Sequence, residues 1–186
     1  MVELQQFERT LNRYIQVPWF LAREAVIDAI ATHCKQSYCW QHENQFQVAS
    51  HVTSLELTTP EHTRINSIVA AAMDGNPLTE GTHFELDGDS IRLKKRMTGH
   101  LKVVLSVFPT ADVQTVDRDI YDRYRSEICM GAAADLGQDE KKAWALSKHQ
   151  IERYQSMFNS GCSDAVQFSL NKAARIYEAQ TKHQFF

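Results

Sequence analysis

Four cysteines and eight histidines are the side chains best suited to metal or nucleophilic chemistry. Their tightest grouping is His33-Cys34, followed by Cys39 and His42. A zinc site needs ligands placed tetrahedrally, usually two from each of two knuckles. His33 and Cys34 are neighbours on an expected helix and point about 100° apart. That spacing reads as a core Cys34 beside a surface His33, without a metal. No two histidines stand four apart, so no H-x-x-x-H pair exists. No two cysteines form C-x-x-C, and three of the four fall on apolar faces of expected helices. Free, reduced thiols are expected rather than a disulfide framework. A Cys–His nucleophilic pair stays open, although nothing in the sequence marks one thiol as unusually acidic.

The carboxylates cluster at Asp87/Asp89 and at Asp117/Asp119/Asp122. The first pair suits a turn and the second a helix start, where acids cap and complement the dipole. Neither sits in the apolar pocket that acid–base catalysis would need. The chain carries neither G-x-S-x-G nor G-x-x-x-x-G-K-[ST], so a nucleophile elbow and a phosphate cradle are excluded. Arg92, Lys94, Lys95 and Arg96, with Lys102 near by, form the one local charge asymmetry. Arg92, Lys94 and Arg96 are expected on one strand face. That pattern fits a solvated strand edge guarded against mispairing, or a contact to passing DNA or an acidic partner. No aromatics interleave to make a single-strand stacking platform.

These residues need elements to position them. Leu4, Phe7, Leu11 and Tyr14/Ile15 predict a short amphipathic helix over 3–15. Pro18 ends or restarts it. Ala22, Val26, Ile30 and Cys34 predict a second helix from Trp19 to about Lys35, with Ala25 and Ala29 beside that stripe. After Trp40 the period changes to alternation around Phe46/Val48 and Leu55/Leu57. Ile65–Met73 reads as a strand ahead of the turn Asp74-Gly75-Asn76-Pro77. Phe84-Glu85-Leu86 and Ile91-Arg92-Leu93 flank Asp87-Gly88-Asp89 as a hairpin. Leu101–Phe108 is a further strand, stopped by Pro109. Asp117 is the expected N-cap of a helix carrying Tyr121, Tyr124, Ile128, Gly131/Ala132 and Leu136 on one side. Ile151, Tyr154, Phe158, Cys162 and Ala165 predict its antiparallel partner across a short gap at Gly137–Glu140.

The 186 residues are 43% hydrophobic with a net charge of -3. Such a chain suits one domain that buries about 70% of its unfolded surface. The near-balanced charge gives no general pull toward nucleic acid or an anionic membrane. The start, MVELQQFERT, lacks a basic region and an apolar stretch, so no secretory signal is expected. No apolar run reaches the roughly 20 residues needed to span a bilayer. The expected architecture is α+β, mainly α: an antiparallel helical bundle with a small antiparallel β insertion and a C-terminal arm. Residues 1–40 would supply N-terminal helices, 41–110 the insertion, 111–170 the helical hairpin and 171–186 the arm.

The order Tyr124, Ile128, Gly131-Ala132, Leu136, Trp144, Tyr154, Phe158, Ala165 resembles the C-terminal half of bacteriophage head-to-tail connector (adaptor) proteins. In that family an I-x-x-G-A-x-x-x-L helix precedes a lysine-tryptophan step and a long helix carrying a phenylalanine. This chain has Ala143 where the family pattern has proline. The upstream order of a helix into Cys34, then Trp40, then short strands is also similar. The resemblance implies a structural virion protein and not an enzyme, without cofactor or metal. It would form a ring, commonly twelvefold, below the portal, joining head to tail and extending the DNA channel. Its partners would be the portal protein, a tail or neck protein and further copies of itself. Double-stranded DNA would be transiting cargo, with no membrane involved. Its place would be the virion neck, and the host cytoplasm during assembly. Tyr177, Phe185 and Phe186 would anchor an arm in the portal, and deletion of residues 178–186 would abolish that joining. Tyr124, Ile128, Gly131, Trp144, Tyr154 and Phe158 would define the fold. Arg92, Lys94, Lys95, Arg96 and Lys102 would meet DNA or a partner. Without the resemblance, the residues leave two alternatives: a small cytosolic thiol-dependent enzyme or regulator using Cys34 or Cys39, or a nucleic-acid-binding module using Arg92 to Lys102.

Overall fold

A computed structural model of the chain describes residues 1–178. The chain opens with a short strand, β1 (Val2–Glu3), a 3-10 turn (Leu4–Phe7) and a single turn of helix, α1 (Glu8–Leu11). The expected apolar set is buried here: Leu4, Phe7, Leu11 and Ile15 are all nearly inaccessible. The segment is shorter and less regular than the helix expected over 3–15. Pro18 then takes the N-cap position of α2 (Trp19–Ser37). Proline lacks the N–H that a helix start leaves unpaired anyway. Tyr38 ends α2 in the left-handed conformation, its N–H returning to the Cys34 carbonyl.

The middle of the chain holds β2 (Gln41–Val48), β3 (Ser54–Glu56), β4 (Thr63–Met73), β5 (Asn76–Pro77), β6 (Phe84–Asp87), β7 (Ser90–Leu93), β8 (Gly99–Pro109) and β9 (Thr115–Val116). They form three antiparallel arrangements: β1-β9, β2-β8-β4-β5 and β3-β7-β6. The hairpin expected at Asp87-Gly88-Asp89 is present, with Asp87 opposite Ser90 across Gly88-Asp89. The strand expected at Ile65–Met73 is also present, as the last nine residues of β4.

The second half contains α3 (Arg118–Leu136) and α4 (Lys148–Glu178). Asp117 caps α3 as expected, its carboxylate accepting from the Asp119 N–H at 2.8 Å. The gap to α4 is longer than expected and covers residues 137–147, so Trp144 lies in the connection. α4 starts where a capping box forms: Ser147 Oγ accepts from the Gln150 N–H, and Gln150 Oε1 accepts from the Ser147 N–H.

The strands correct the expected fold class. The chain is α+β, about 43% helix and 27% strand over the described residues, and is not a mainly helical bundle with a small β insertion. β4 and β8 are each eleven residues long. Leu101, Val103, Leu105 and Val107 of β8 are fully buried and join the main core with α2. On the opposite face Val104 packs with Ala70 and with Ala173 of α4. A strand covered on both faces reads as continuous apolar sequence rather than as alternation. The sheet is therefore a layer of the core, between α2 and the end of α4.

Candidate functional site

Several of the residues that carry the family resemblance lie where α3 and α4 pack together. Ile128 and Ala132 of α3 are inaccessible, as are Phe158 and Ala165 of α4 to within 3%. Gly131 lies against the Phe158 ring. A Cβ on it would lie 2.6 Å from Phe158 Cδ2. One turn along, a Cβ on Gly161 would lie 2.5 Å from Glu127 Cγ. Carbon atoms in contact sit about 3.5–4.0 Å apart, so both positions require the missing methyl. Tyr154 extends the joint to the N-terminal segment, its ring edge-on to Tyr14 at 5.5 Å. Tyr121 does the same against Phe7 at 5.1 Å. Leu136 and Trp144 are half-buried against the same core, and the Lys142 ammonium lies over the Trp144 ring.

Beneath the joint lies a polar cluster that the sequence reading misplaced. His33 is not a surface residue; it is fully buried, like Cys34 beside it. The reason is the two-sided packing of α2, which the sheet covers on one side and α3 and α4 on the other. A helix buried this broadly hides two adjacent residues. The signal was present in the row Ala25, Ala29, His33 and Ser37, spaced by four and all buried. His33 stacks against Tyr124 at 4.8 Å and meets the edge of Phe158 at 6.0 Å.

Cys39 follows the left-handed turn at Tyr38 and folds back onto this cluster. Its Sγ lies 3.6 Å from Cys34 Sγ and 3.4 Å from His33 Nδ1. Ser37 Oγ donates to the His33 carbonyl at 2.7 Å and faces His33 Nδ1 at 3.2 Å. With its only proton committed, the hydroxyl is left as an acceptor for Nδ1–H. The same Nδ1–H then points between Ser37 and the Cys39 sulfur. His33 Nε2 has no partner among the described residues. The Cys34 thiol against it holds Cys39 below the ordinary thiol range; burial opposes this and His33 reinforces it. Cys34 is pushed well above that range, chiefly by burial. Burial likewise raises Cys129 and Cys162 to about 12. All four cysteines are free and buried. Among the described residues no group of three or more His, Cys, Asp or Glu is arranged to hold a metal ion.

The basic run is divided by the fold. Arg92 sits on β7 and pairs with Asp87, while Lys94 pairs with Glu85. β7 ends at Leu93, so Lys94, Lys95 and Arg96 lie beyond the strand and share no strand face with Arg92. β7 is also the central strand of its sheet, which removes the edge explanation. Lys102 belongs to β8 in another sheet. It lines a groove with Lys172 and Arg175 of α4. Tyr177 is half-buried on the last turns of α4, packed with Val69 and Ile176 over Ala70, Val104 and Ala173. Phe185 and Phe186 lie outside the described residues. Among those described, no helix is long and apolar enough to cross a membrane. No protein-family model matches the chain, and no curated protein matches it.

Proposed function

We propose that the chain is a structural protein of a phage neck, one protomer of a ring that sits below the portal and lengthens the DNA channel toward the tail. What supports the reading is the seam itself. Several of the residues on which the connector resemblance rests, Ile128, Gly131, Ala132, Phe158 and Ala165, are buried where α3 and α4 pack together, with Gly131 directly against Phe158. Side chains chosen for close packing keep a protomer in a fixed shape, which a closed ring requires because angular errors accumulate around it. Phe20 and Leu21 at the start of α2 are 78% and 43% exposed. Neighbouring large apolar side chains left in water suit a contact with an adjacent subunit. The ring is commonly twelvefold in the family that the chain resembles. The portal protein, a tail or neck protein and further copies of the chain are the partners, and DNA passes through as cargo.

The nucleic-acid-binding alternative is less well supported, because Asp87 and Glu85 already neutralise two of its cations. The test is light scattering on the purified chain with and without the portal protein of the same phage. The reading expects a closed ring carrying many copies, alone or on the portal. Portal and chain that stay separate at micromolar concentrations would overturn it.

A further inference from the structure

We infer that Cys34 and Cys39 form a redox-modification site, in which a peroxide converts the pair to a disulfide across the end of α2. The two sulfurs are 3.6 Å apart, on residues only five positions apart in the chain. They flank the turn at Tyr38, whose left-handed backbone brings Cys39 back over the last turn of the helix. A disulfide needs about 2.05 Å between sulfurs, so closing the remaining gap is a movement of about 1.5 Å shared by the two side chains.

The two thiols have different parts. Cys39 is the more accessible, at 9% exposure against none for Cys34. It is also the thiol whose pKa is lowered, by the Cys34 thiol against it, with His33 Nδ1 3.4 Å away. Thiolate character and access together decide which cysteine an oxidant attacks first. The Cys39 sulfur attacks one oxygen of hydrogen peroxide, the O–O bond breaks, and the departing hydroxide takes up a proton to become water. Cys39 is then a sulfenic acid. The Cys34 sulfur attacks the Cys39 sulfur, the S–O bond breaks, and the Cys34 proton leaves with the hydroxide as a second water. Two thiols have lost two electrons and one peroxide has gained them. Cys129 and Cys162 are less exposed than Cys39, and burial raises the pKa of each. They stay reduced.

The inference stands apart from the neck reading, since it concerns only how α2 is fastened to β2. The test uses the full-length chain, first reduced and then exposed to hydrogen peroxide under native conditions. Remaining thiols are alkylated after acid quenching, and the protein is digested with trypsin. Lys35 lies between the two cysteines, so a Cys34–Cys39 bond joins two tryptic peptides that otherwise separate. The expected result is that linked pair, with two of the four cysteines lost to alkylation and Cys129 and Cys162 fully alkylated. In the Cys34→Ser variant the partner is missing, and Cys39 should accumulate as a sulfenic acid captured by a dimedone probe. In the Cys39→Ser variant, oxidation at Cys34 should fall at least tenfold. Four alkylated cysteines after peroxide, a bond from either residue to Cys129 or Cys162, or oxidation of Cys34 undiminished in Cys39→Ser would overturn the assignment.

Discussion

Replacing Gly131 by alanine tests the joint between α3 and α4 with a single methyl group. In an exposed helix this change gains about 1 kcal/mol, because alanine is the better helix former. Here the new Cβ would stand 2.6 Å from Phe158 Cδ2 and 3.0 Å from Cγ and Cε2 of the same ring. The overlap is about 1 Å against an ordinary contact, and Phe158 is a core residue, 3% exposed. Overpacking of this kind costs about 1–3 kcal/mol, and three short ring contacts place it near the upper end. The net loss is then about 1–2 kcal/mol, a fall of about 2–8 °C in Tm for a chain of this size. Phe158→Ala alone should cost about 3–5 kcal/mol by opening a cavity. In the double variant the alanine methyl occupies part of that cavity, so the two losses should fall short of their sum by about 1 kcal/mol or more. Urea denaturation of all four proteins measures the cycle. A Gly131→Ala protein as stable as the parent, or losses that add within about 0.5 kcal/mol, would refute the close packing.

Three further outcomes follow from the same geometry. Asp117→Ala should lose about 1 kcal/mol by uncapping α3, while Asp117→Asn should keep most of it, read from urea midpoints. Cys129 is held neutral to about pH 12 in the fold, against an ordinary thiol value near 9. Its contribution to stability is therefore complete below about pH 9 and is lost as pH rises toward 12, at about 1.4 kcal/mol per unit. Urea midpoints at pH 8 and 10.5 should diverge by about 2 kcal/mol more in the parent than in Cys129→Ala. Phe20→Asp should leave Tm within about 2 °C, since a surface change of this kind is worth under about 0.5 kcal/mol, yet it should reduce ring formation in light scattering.

Local signals carried much of the fold. The Asp117 cap, the turn at Gly88-Asp89 and the stripe of Ala22, Val26, Ile30 and Cys34 depend on neighbours in sequence, and each is where its spacing placed it. What was not legible depends on who packs against whom. The apolar run of β8 looks the same whether a strand borders a small insertion or sits between α2 and α4. The broad burial of α2 hid His33, because a stripe drawn for one-sided packing leaves residue 33 outside it. Cys39 joins that residue only through the reversal at Tyr38, a backbone feature with no glycine to announce it. The connection was expected to end at Glu140 and runs to residue 147, because α4 starts only at the Ser147/Gln150 capping box. The basic run looked like one patch because sequence proximity does not register that Lys102 belongs to a second sheet.

A reconstruction of the neck in assembled phage particles puts the assembly role to its most direct trial. A closed ring of this chain immediately below the portal, with the α3–α4 joint intact in every copy, is the outcome the proposal requires. Particles that contain no copy of the chain between portal and tail would contradict it.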